Sequence, residues 1–192
     1  MQNLPRRDAL KRVTLLAGGA VATPTLLSIL QACEQAPAPL NWQAQYLSEP
    51  QARLIMRLAD MIIPETDTPG ATQAGVHVFI DTMLDQCLKT EAQDIFTKGL
   101  ERVEQLSSTN HQSPFMELDE AQQTEVLTQI ADKDYQEDAS SSKSFFKQLK
   151  ELTLMGYFTS EMGAQQALAY LQIPGRYDGC TELEDNQKAW AL

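Results

Sequence analysis

The residues whose spacing could support chemistry are His77, Asp81 and Asp85, which lie four apart in the sequence. Side chains at this spacing share one face of a helix, so the three could hold a divalent cation. The same spacing also arises on solvent-facing helices, where a histidine and carboxylates interact with one another in water. We interpret the three as an exposed ladder and predict no metal site.

Motifs of other catalytic classes are absent from the sequence. There is no Cys-x-x-Cys-His motif for covalent haem, no Gly-x-Gly-x-x-Gly dinucleotide motif and no Gly-x-Ser-x-Gly nucleophile elbow. Two histidines and three cysteines also leave few groups for metal or nucleophile chemistry. We therefore predict that the chain has no catalytic residue and no cofactor of its own.

Apolar residues repeat with helical spacing along most of the chain, and no segment alternates with the period of a strand. Ser48 and Gln51 form a capping-box pattern at the start of the first helix, and Pro64 ends it. The acidic segment 132–142 is predicted to be an exposed loop. Helices are predicted over about 48–63, 76–88, 91–107, 119–130, 145–155 and 160–171. The fold class is therefore all-α, a compact irregular bundle of five or six helices.

The charge balance limits the possible partners. Fifteen Lys and Arg residues against 26 Asp and Glu residues give a formal net charge of −11. Nucleic acids and anionic lipid surfaces would be repelled by this charge, so both are unlikely partner classes. The 192-residue length allows for one ordinary domain once an N-terminal signal has been removed.

The N-terminus resembles a twin-arginine export signal, in which Arg6 and Arg7 are followed by Leu10 and Lys11. The uncharged stretch that follows is only moderately apolar, which favours a signal peptide over 1–32 rather than a permanent membrane anchor. Proteins exported by this route cross the membrane folded, usually because they carry a cofactor. Nothing in the remaining chain is a clear cofactor-binding motif.

The segment that ends at Cys33 resembles a lipobox, in which the cysteine is acylated and becomes the mature N-terminus. The alternative is cleavage by an ordinary signal peptidase. We predict a tether over 33–47, a helical domain over 48–181 and a C-terminal tail over 182–192. The expected location is the periplasm, with a lipid anchor that holds the chain on a membrane.

Two irregular segments have compositions that suggest a contact surface. In the first, Pro64, Pro69 and Gly70 predict a pre-shaped loop with a type II turn, although a plain helix connector has the same features. In the second, aromatic residues, glycines and an arginine gather in predicted non-helical backbone, which is typical of interfaces. Its members are Gly156, Tyr157, Phe158, Pro174, Gly175, Arg176 and Tyr177. The alternative is that these aromatic side chains close the end of the bundle.

Cys87 and Cys180 are the disulfide candidates. In an oxidising compartment they could pair with each other. Alternatively, Cys87 is a buried thiol on its apolar stripe and Cys180 bridges to a partner chain. The sequence leaves both arrangements open.

These segments resemble the gluconate 2-dehydrogenase subunit 3 family over about residues 48–181. The opening signature lies in 58–64, 69–71, 75–76 and 79–81, and the closing signature in 152–161 and 173–177. The resemblance implies a non-catalytic small subunit of an exported flavin-dependent sugar or polyol dehydrogenase. The implied partner is a large subunit of the glucose–methanol–choline type that carries FAD, in some cases with a cytochrome c subunit.

The resemblance also implies a reason for the export signal, because the small subunit brings the large one through the membrane as a folded complex. The main hypothesis is therefore an escort and stabilising subunit. The alternative is a lipid-anchored periplasmic binding or scaffold protein that acts alone. A third hypothesis, an enzyme that uses the His77, Asp81 and Asp85 face, has the least support.

Overall fold

The computed structural model describes residue 40, residues 42–137 and 144–173, and residues 175, 180, 182 and 185–190. Five α-helices follow one another in this part of the chain: α1 Glu49–Ile62, α2 Val76–Gln86, α3 Thr90–His111, α4 Glu120–Glu137 and α5 Phe145–Thr159. A 3₁₀ turn, Phe115–Glu117, connects α3 to α4. The all-α prediction is confirmed, and no strand occurs among these residues.

Helix α1 begins and ends where its local sequence predicts. The Ser48 backbone N–H donates to Gln51 Oε1 at 3.0 Å, which is half of the predicted capping box. The apolar residues at positions 54, 55 and 58 face the core, and the helix ends just before Pro64. Helix α4 has an equivalent start, because Asp119 and Gln122 exchange side-chain to backbone hydrogen bonds.

Helices α3 and α4 are both longer than predicted, and the exposed loop predicted over 132–142 is wrong for 132–137, while 138–142 lie outside the described residues. Helix α4 continues to Glu137, and Asp134 within it is only 3% exposed. The carboxylate of Asp134 contacts Arg102 of α3 and accepts the backbone N–H of Phe146 at 2.7 Å. An acidic residue in this segment is therefore buried because a cation and an N–H from other helices compensate for its charge.

Helix α5 lies at the centre of the bundle and packs against each of the other four helices. Its contact with α3 is close, since a Cβ at Gly99 would lie 2.0 Å from Cγ of Phe145. The buried core takes apolar residues from all five helices, with the largest fully buried side chains at Tyr157, Phe96, Phe115, Ile55, Leu58, Ile80, Leu84, Leu100, Ile130 and Leu149. The α5 sequence thus builds much of the core that joins the N-terminal and C-terminal halves.

The predicted sixth helix is confirmed only in its first half. Residues 161–167 are helical, with a π-helical turn at Gly163–Ala167, and the chain leaves helical conformation at Leu168. An isolated parallel bridge then pairs Ala169 with Trp190, and the Ala169 N–H donates to the Ala189 carbonyl at 2.7 Å. Leu168 and Leu171, which the spacing assigns to the helical stripe, therefore lie beyond the helix.

Candidate partner interface

The loop over residues 63–71 is pre-shaped, as the two prolines predict. The Ala71 N–H donates to the Ile63 carbonyl at 3.0 Å and closes the base of the loop. The carboxylate of Asp60 accepts the Thr72 N–H at 2.7 Å and so fixes the chain where it leaves the loop. Pro64 is exposed at one side of the loop, whereas Gly70 is buried.

The predicted type II turn with a positive φ at Gly70 is wrong, because Gly70 has no positive φ. Gly70 is instead required by close packing. A Cβ there would lie 3.0 Å from the backbone nitrogen of Glu65 and 3.3 Å from Oδ1 of Asp60. A larger residue would push the two sides of the loop apart.

Tyr157 fastens this loop to the helical body. Its side chain is 2% exposed, and its hydroxyl donates to the Pro69 carbonyl at 2.7 Å. The neighbouring Gly156 is buried against α2, where a Cβ would lie 2.7 Å from Cδ1 of Phe79. Both residues belong to α5, so the prediction of non-helical backbone is wrong for them. Their burial favours the alternative in which Tyr157 closes the end of the bundle.

Phe158 differs from its neighbour Tyr157. Its side chain is 41% exposed, and its ring meets the Tyr157 ring edge-on at a centroid distance of 5.3 Å. Met155, which the periodicity assigns to the core, is 51% exposed three residues earlier on the same helix. Met155 therefore lies on a face of α5 that the other helices leave open, whereas Gly156 and Tyr157 lie on its covered face.

The chain beyond α5 continues this exposed apolar character. Tyr170, Leu171 and Ile173 are 49%, 54% and 79% exposed, and Met162 is 37% exposed. Gly175 has a φ of 68°, in the left-handed region that favours glycine. The predicted interface residues Pro174, Arg176 and Tyr177 lie outside the described residues.

The ladder predicted at His77, Asp81 and Asp85 is wrong for two of its three members. His77 and Asp81 are 6% and 1% exposed, and only Asp85 faces solvent. The Asp81 carboxylate accepts the backbone N–H groups of Gln45 at 2.7 Å, Tyr46 at 3.1 Å and Leu47 at 2.9 Å. Segment 42–47, which the sequence assigns to the tether, is therefore held on α2 by a buried carboxylate.

His77 lies under the same segment. Its ring is 5.5 Å from the Trp42 ring, and burial lowers the pKa of His77, with the carboxylate of Asp60 opposing part of that shift. Within the described residues, no group of three or more His, Cys, Asp or Glu side chains could hold a metal ion. No residue pattern indicates the Asp81 contact, because an extended backbone segment has no side-chain pattern that identifies it as a hydrogen-bond donor.

The two cysteines outside the N-terminal region are both exposed. Cys87 follows the last residue of α2 and lies outside the core, so the buried-thiol alternative is wrong. Its position on the apolar stripe misled the prediction because the helix ends one residue earlier. The pairing of Cys87 with Cys180 and a bridge from Cys180 to a partner chain both stay predictions.

A groove of about 440 Å³ runs between α1, α4 and α5, next to Pro64. Its walls include apolar side chains from Met61, Leu127 and Phe146, and charged side chains from Arg57 and Lys150 at its edges. The Arg57 Nε donates to Gln123 Oε1 at 2.7 Å, so the Arg57 side chain already has a hydrogen-bond partner within the chain. The groove carries charges of both signs and gives no clear indication of a ligand.

In a comparison with protein families, the sequence model of the gluconate 2-dehydrogenase subunit 3 family matches residues 49–175. The chain belongs to this family. The match spans α1 to α5 and the π-helical turn, and so covers the whole helical body. The family is that of an accessory, non-catalytic subunit of a dehydrogenase complex. No curated protein and no solved structure matched the chain.

For an accessory subunit, the exposed surfaces are the candidates for contact with another subunit. In the part of the chain that the structure describes, no helix is long and apolar enough to cross a membrane. Of the predicted interface residues that the structure describes, Pro64, Phe158 and Gly175 are exposed and Pro69 is half-buried. Gly70, Gly156 and Tyr157 are buried and hold the body together. Met155 and Met162 are exposed but are not among the predicted interface residues. The only sequence signal for them is their position next to Gly156 and Gly163.

Proposed function

We propose that this chain is the small, non-catalytic subunit of a periplasmic flavin-dependent dehydrogenase of the glucose–methanol–choline type. Its role is to escort the FAD-carrying large subunit through twin-arginine export and to stabilise that subunit afterwards. The observation that carries the proposal is the family match over residues 49–175 behind the Arg6-Arg7 signal. The substrate class implied by the family is a sugar or polyol, oxidised on the large subunit.

The escort role sets a physical requirement on the complex. A large subunit without a signal of its own crosses the membrane only while it is bound to the small subunit. The complex must therefore stay assembled for longer than transport takes. Long residence times depend on slow dissociation, which needs a well-packed interface of about 1,000 Å² or more. The helical body supports this role, because its core is closed by its own contacts and leaves apolar side chains exposed near the C-terminal end.

The anchoring of the complex forms a further part of the proposal. Acylation of Cys33 would fix the small subunit, and with it the large one, at a membrane surface. A cytochrome c subunit in the same complex would accept electrons from the flavin. These steps would place the oxidation and the electron transfer on partner chains, with this chain in a structural role.

The test is co-expression of this chain with the large subunit encoded in the same genome, followed by cell fractionation. With the native signal, we expect both chains and bound flavin in the periplasmic or membrane fraction. The Arg6→Lys, Arg7→Lys double variant should retain both chains and the flavin in the cytoplasm. Export of the large subunit in the absence of this chain would contradict the escort role.

The same preparation separates this proposal from the stand-alone alternative. Native material purified from the membrane should contain the large subunit in stoichiometric amount and show the visible absorbance of bound oxidised flavin. A colourless monomer would favour a binding or scaffold protein that acts alone. Replacement of Cys33 by Ser should release the complex from the membrane without separating its subunits.

A further inference from the structure

Exposed large apolar side chains are concentrated at one end of the chain. Ten such side chains occur among the described residues, and seven of them lie between positions 155 and 190. These seven, which we call the C-terminal apolar surface, are Met155, Phe158, Met162, Tyr170, Leu171, Ile173 and Trp190. The other three, Val78, Met116 and Tyr135, are spread over three different elements. Scattered exposed residues are ordinary, whereas exposed apolar side chains that lie close together mark interaction sites. Met155 and Phe158 are such neighbours, because they are three residues apart on α5.

The backbone that carries this surface is held in place although it is not a regular helix. The Ser160 hydroxyl donates to the Tyr157 carbonyl at 2.7 Å and accepts the Gly163 N–H at 2.9 Å. Gly163 packs so closely that a Cβ would lie 1.9 Å from the Tyr157 carbonyl oxygen. Further along, the Lys188 ammonium group donates to the Gln166 carbonyl, next to the Ala169–Trp190 bridge. The apolar side chains are therefore presented on a fixed backbone.

The residue types fit the core of a protein interface. Methionine and aromatic residues make up five of the seven, and these types are enriched at interface cores. Tyr and Trp also dominate the residues at which truncation weakens binding most. Methionine adapts its shape to a partner surface because its side chain is unbranched and flexible.

Charge decides which occupant fits this surface. From position 151 onward the described residues include four exposed carboxylates, at Glu151, Glu161, Glu182 and Asp185, and one exposed ammonium group, at Lys188. A second copy of the chain would bring the same carboxylates and a net charge of −11 against them, so it would be repelled. The complementary partner has an apolar patch with Lys and Arg at its rim.

We propose that the C-terminal apolar surface binds the large FAD-carrying subunit through an apolar patch that has a basic rim. This assignment rests on the proposed function and adds the surface and the partner chemistry to it. Tyr157 and the 63–71 loop then support the interface from behind, because Tyr157 orients the end of α5 on which Phe158 lies. Phe158 is the predicted anchor residue, next to Met155.

The experiment is capture of the large subunit by tagged full-length chain in co-expressing cells, read out as flavin absorbance per captured small subunit. The test variant is the Met155→Glu, Phe158→Glu double substitution. The matched control is Met116→Glu, Tyr135→Glu, which adds the same charge at side chains 49% and 44% exposed on other elements. We expect at least about a tenfold loss of captured flavin for the test variant and less than a twofold change for the control.

The outcomes separate the surface from the function. Thermal unfolding of both variants within a few degrees of wild type shows that any loss is local. If wild type captures flavoprotein and the test variant captures it equally, the surface assignment is overturned and the escort role stands. If wild type captures none, the proposed function fails. A wild-type homodimer that the test variant converts to a monomer would assign the surface to a second copy and overturn the proposal.

The basic rim has a test of its own. Glu151→Lys with Glu161→Lys should slow association with the large subunit several-fold at low salt and have less effect on dissociation, because rim charges act mainly on encounter rates. The effect should shrink as ionic strength rises. An association rate that is unchanged or faster would overturn the part of the proposal that concerns charge.

Discussion

Two regions of the molecule place their unusual residues in opposite environments. In segment 42–47 and loop 63–71, polar groups are buried and paired, as in the three N–H bonds to Asp81 and the bond from the Tyr157 hydroxyl to the Pro69 carbonyl. Among the described residues of 155–190, seven large apolar side chains are exposed on a backbone held by a few hydrogen bonds. The first region stabilises the body, and the contrast supports our proposal that the second binds a partner.

The largest expected effect distinguishes two neighbouring aromatic residues. Tyr157→Ala should lower the free energy of unfolding by about 3–5 kcal/mol, because it removes a buried ring and frees loop 63–71. Phe158→Ala should lower it by only about 1 kcal/mol, since 41% of its side chain is exposed. Urea unfolding followed by circular dichroism measures both. Equal losses for the two variants would remove the distinction between the two regions.

The next largest effect concerns the buried carboxylate. Asp81→Ala leaves three backbone N–H groups of segment 45–47 without an acceptor, and we expect a loss of about 2–3 kcal/mol. Asp85→Ala, one turn later on the exposed side, is the control and should stay within about 0.5 kcal/mol. Limited proteolysis should also cut segment 42–47 faster in the Asp81 variant. Unchanged cleavage there would show that the carboxylate does not hold the segment.

A smaller effect should appear on acidification. Because burial lowers the folded-state pKa of His77 below its unfolded value, the unfolded chain binds a proton more readily as the pH falls below about 6.5. Stability should therefore be lost on going from pH 7.5 to pH 5.5, and the loss should be smaller in His77→Gln. Urea midpoints at the two pH values give the comparison. If the stability of the His77→Gln variant depended on pH in the same way as that of wild type, His77 would be excluded as the cause of the loss.

The smallest effect should come from the tail. Lys188→Ala removes an exposed contact with the Gln166 carbonyl, so the free energy of unfolding should change by about 0.5 kcal/mol or less. Cleavage by chymotrypsin near Tyr170 and Leu171 should nevertheless become faster, because the tail no longer restrains this segment. A large loss of global stability would mean that the C-terminal segment belongs to the folded core rather than to a surface kept for a partner.

Local sequence predicted the helices well where the signals are local. Ser48 and Gln51 mark the start of α1, and Asp119 and Gln122 that of α4, because capping residues act within four positions. The same reasoning failed at Asp134, whose burial depends on Arg102, 32 residues away. It also failed for the second half of the sixth helix, beyond Ala167, since an apolar spacing predicts a helix only where another element covers the apolar face.

The interface hypothesis was partly accessible from sequence. Phe158 was identified by its composition and is exposed, whereas Tyr157, identified in the same way, is buried. Composition cannot separate two adjacent aromatic residues, because which one faces the core depends on the rotation of α5 against its neighbours. Met155 was assigned to the core for the same reason and is exposed.

The sequence by itself determined the helical class, the boundaries set by capping residues and prolines, the acidic charge and the family, because each depends on composition or on local residue patterns. Only the tertiary structure decided that Asp81 accepts three N–H groups from a segment 34–36 residues earlier, and that the Tyr157 hydroxyl donates to the Pro69 carbonyl across 88 residues. It also decided which apolar side chains stay exposed. Burial is a property of packing between elements, and no local pattern of residues specifies it.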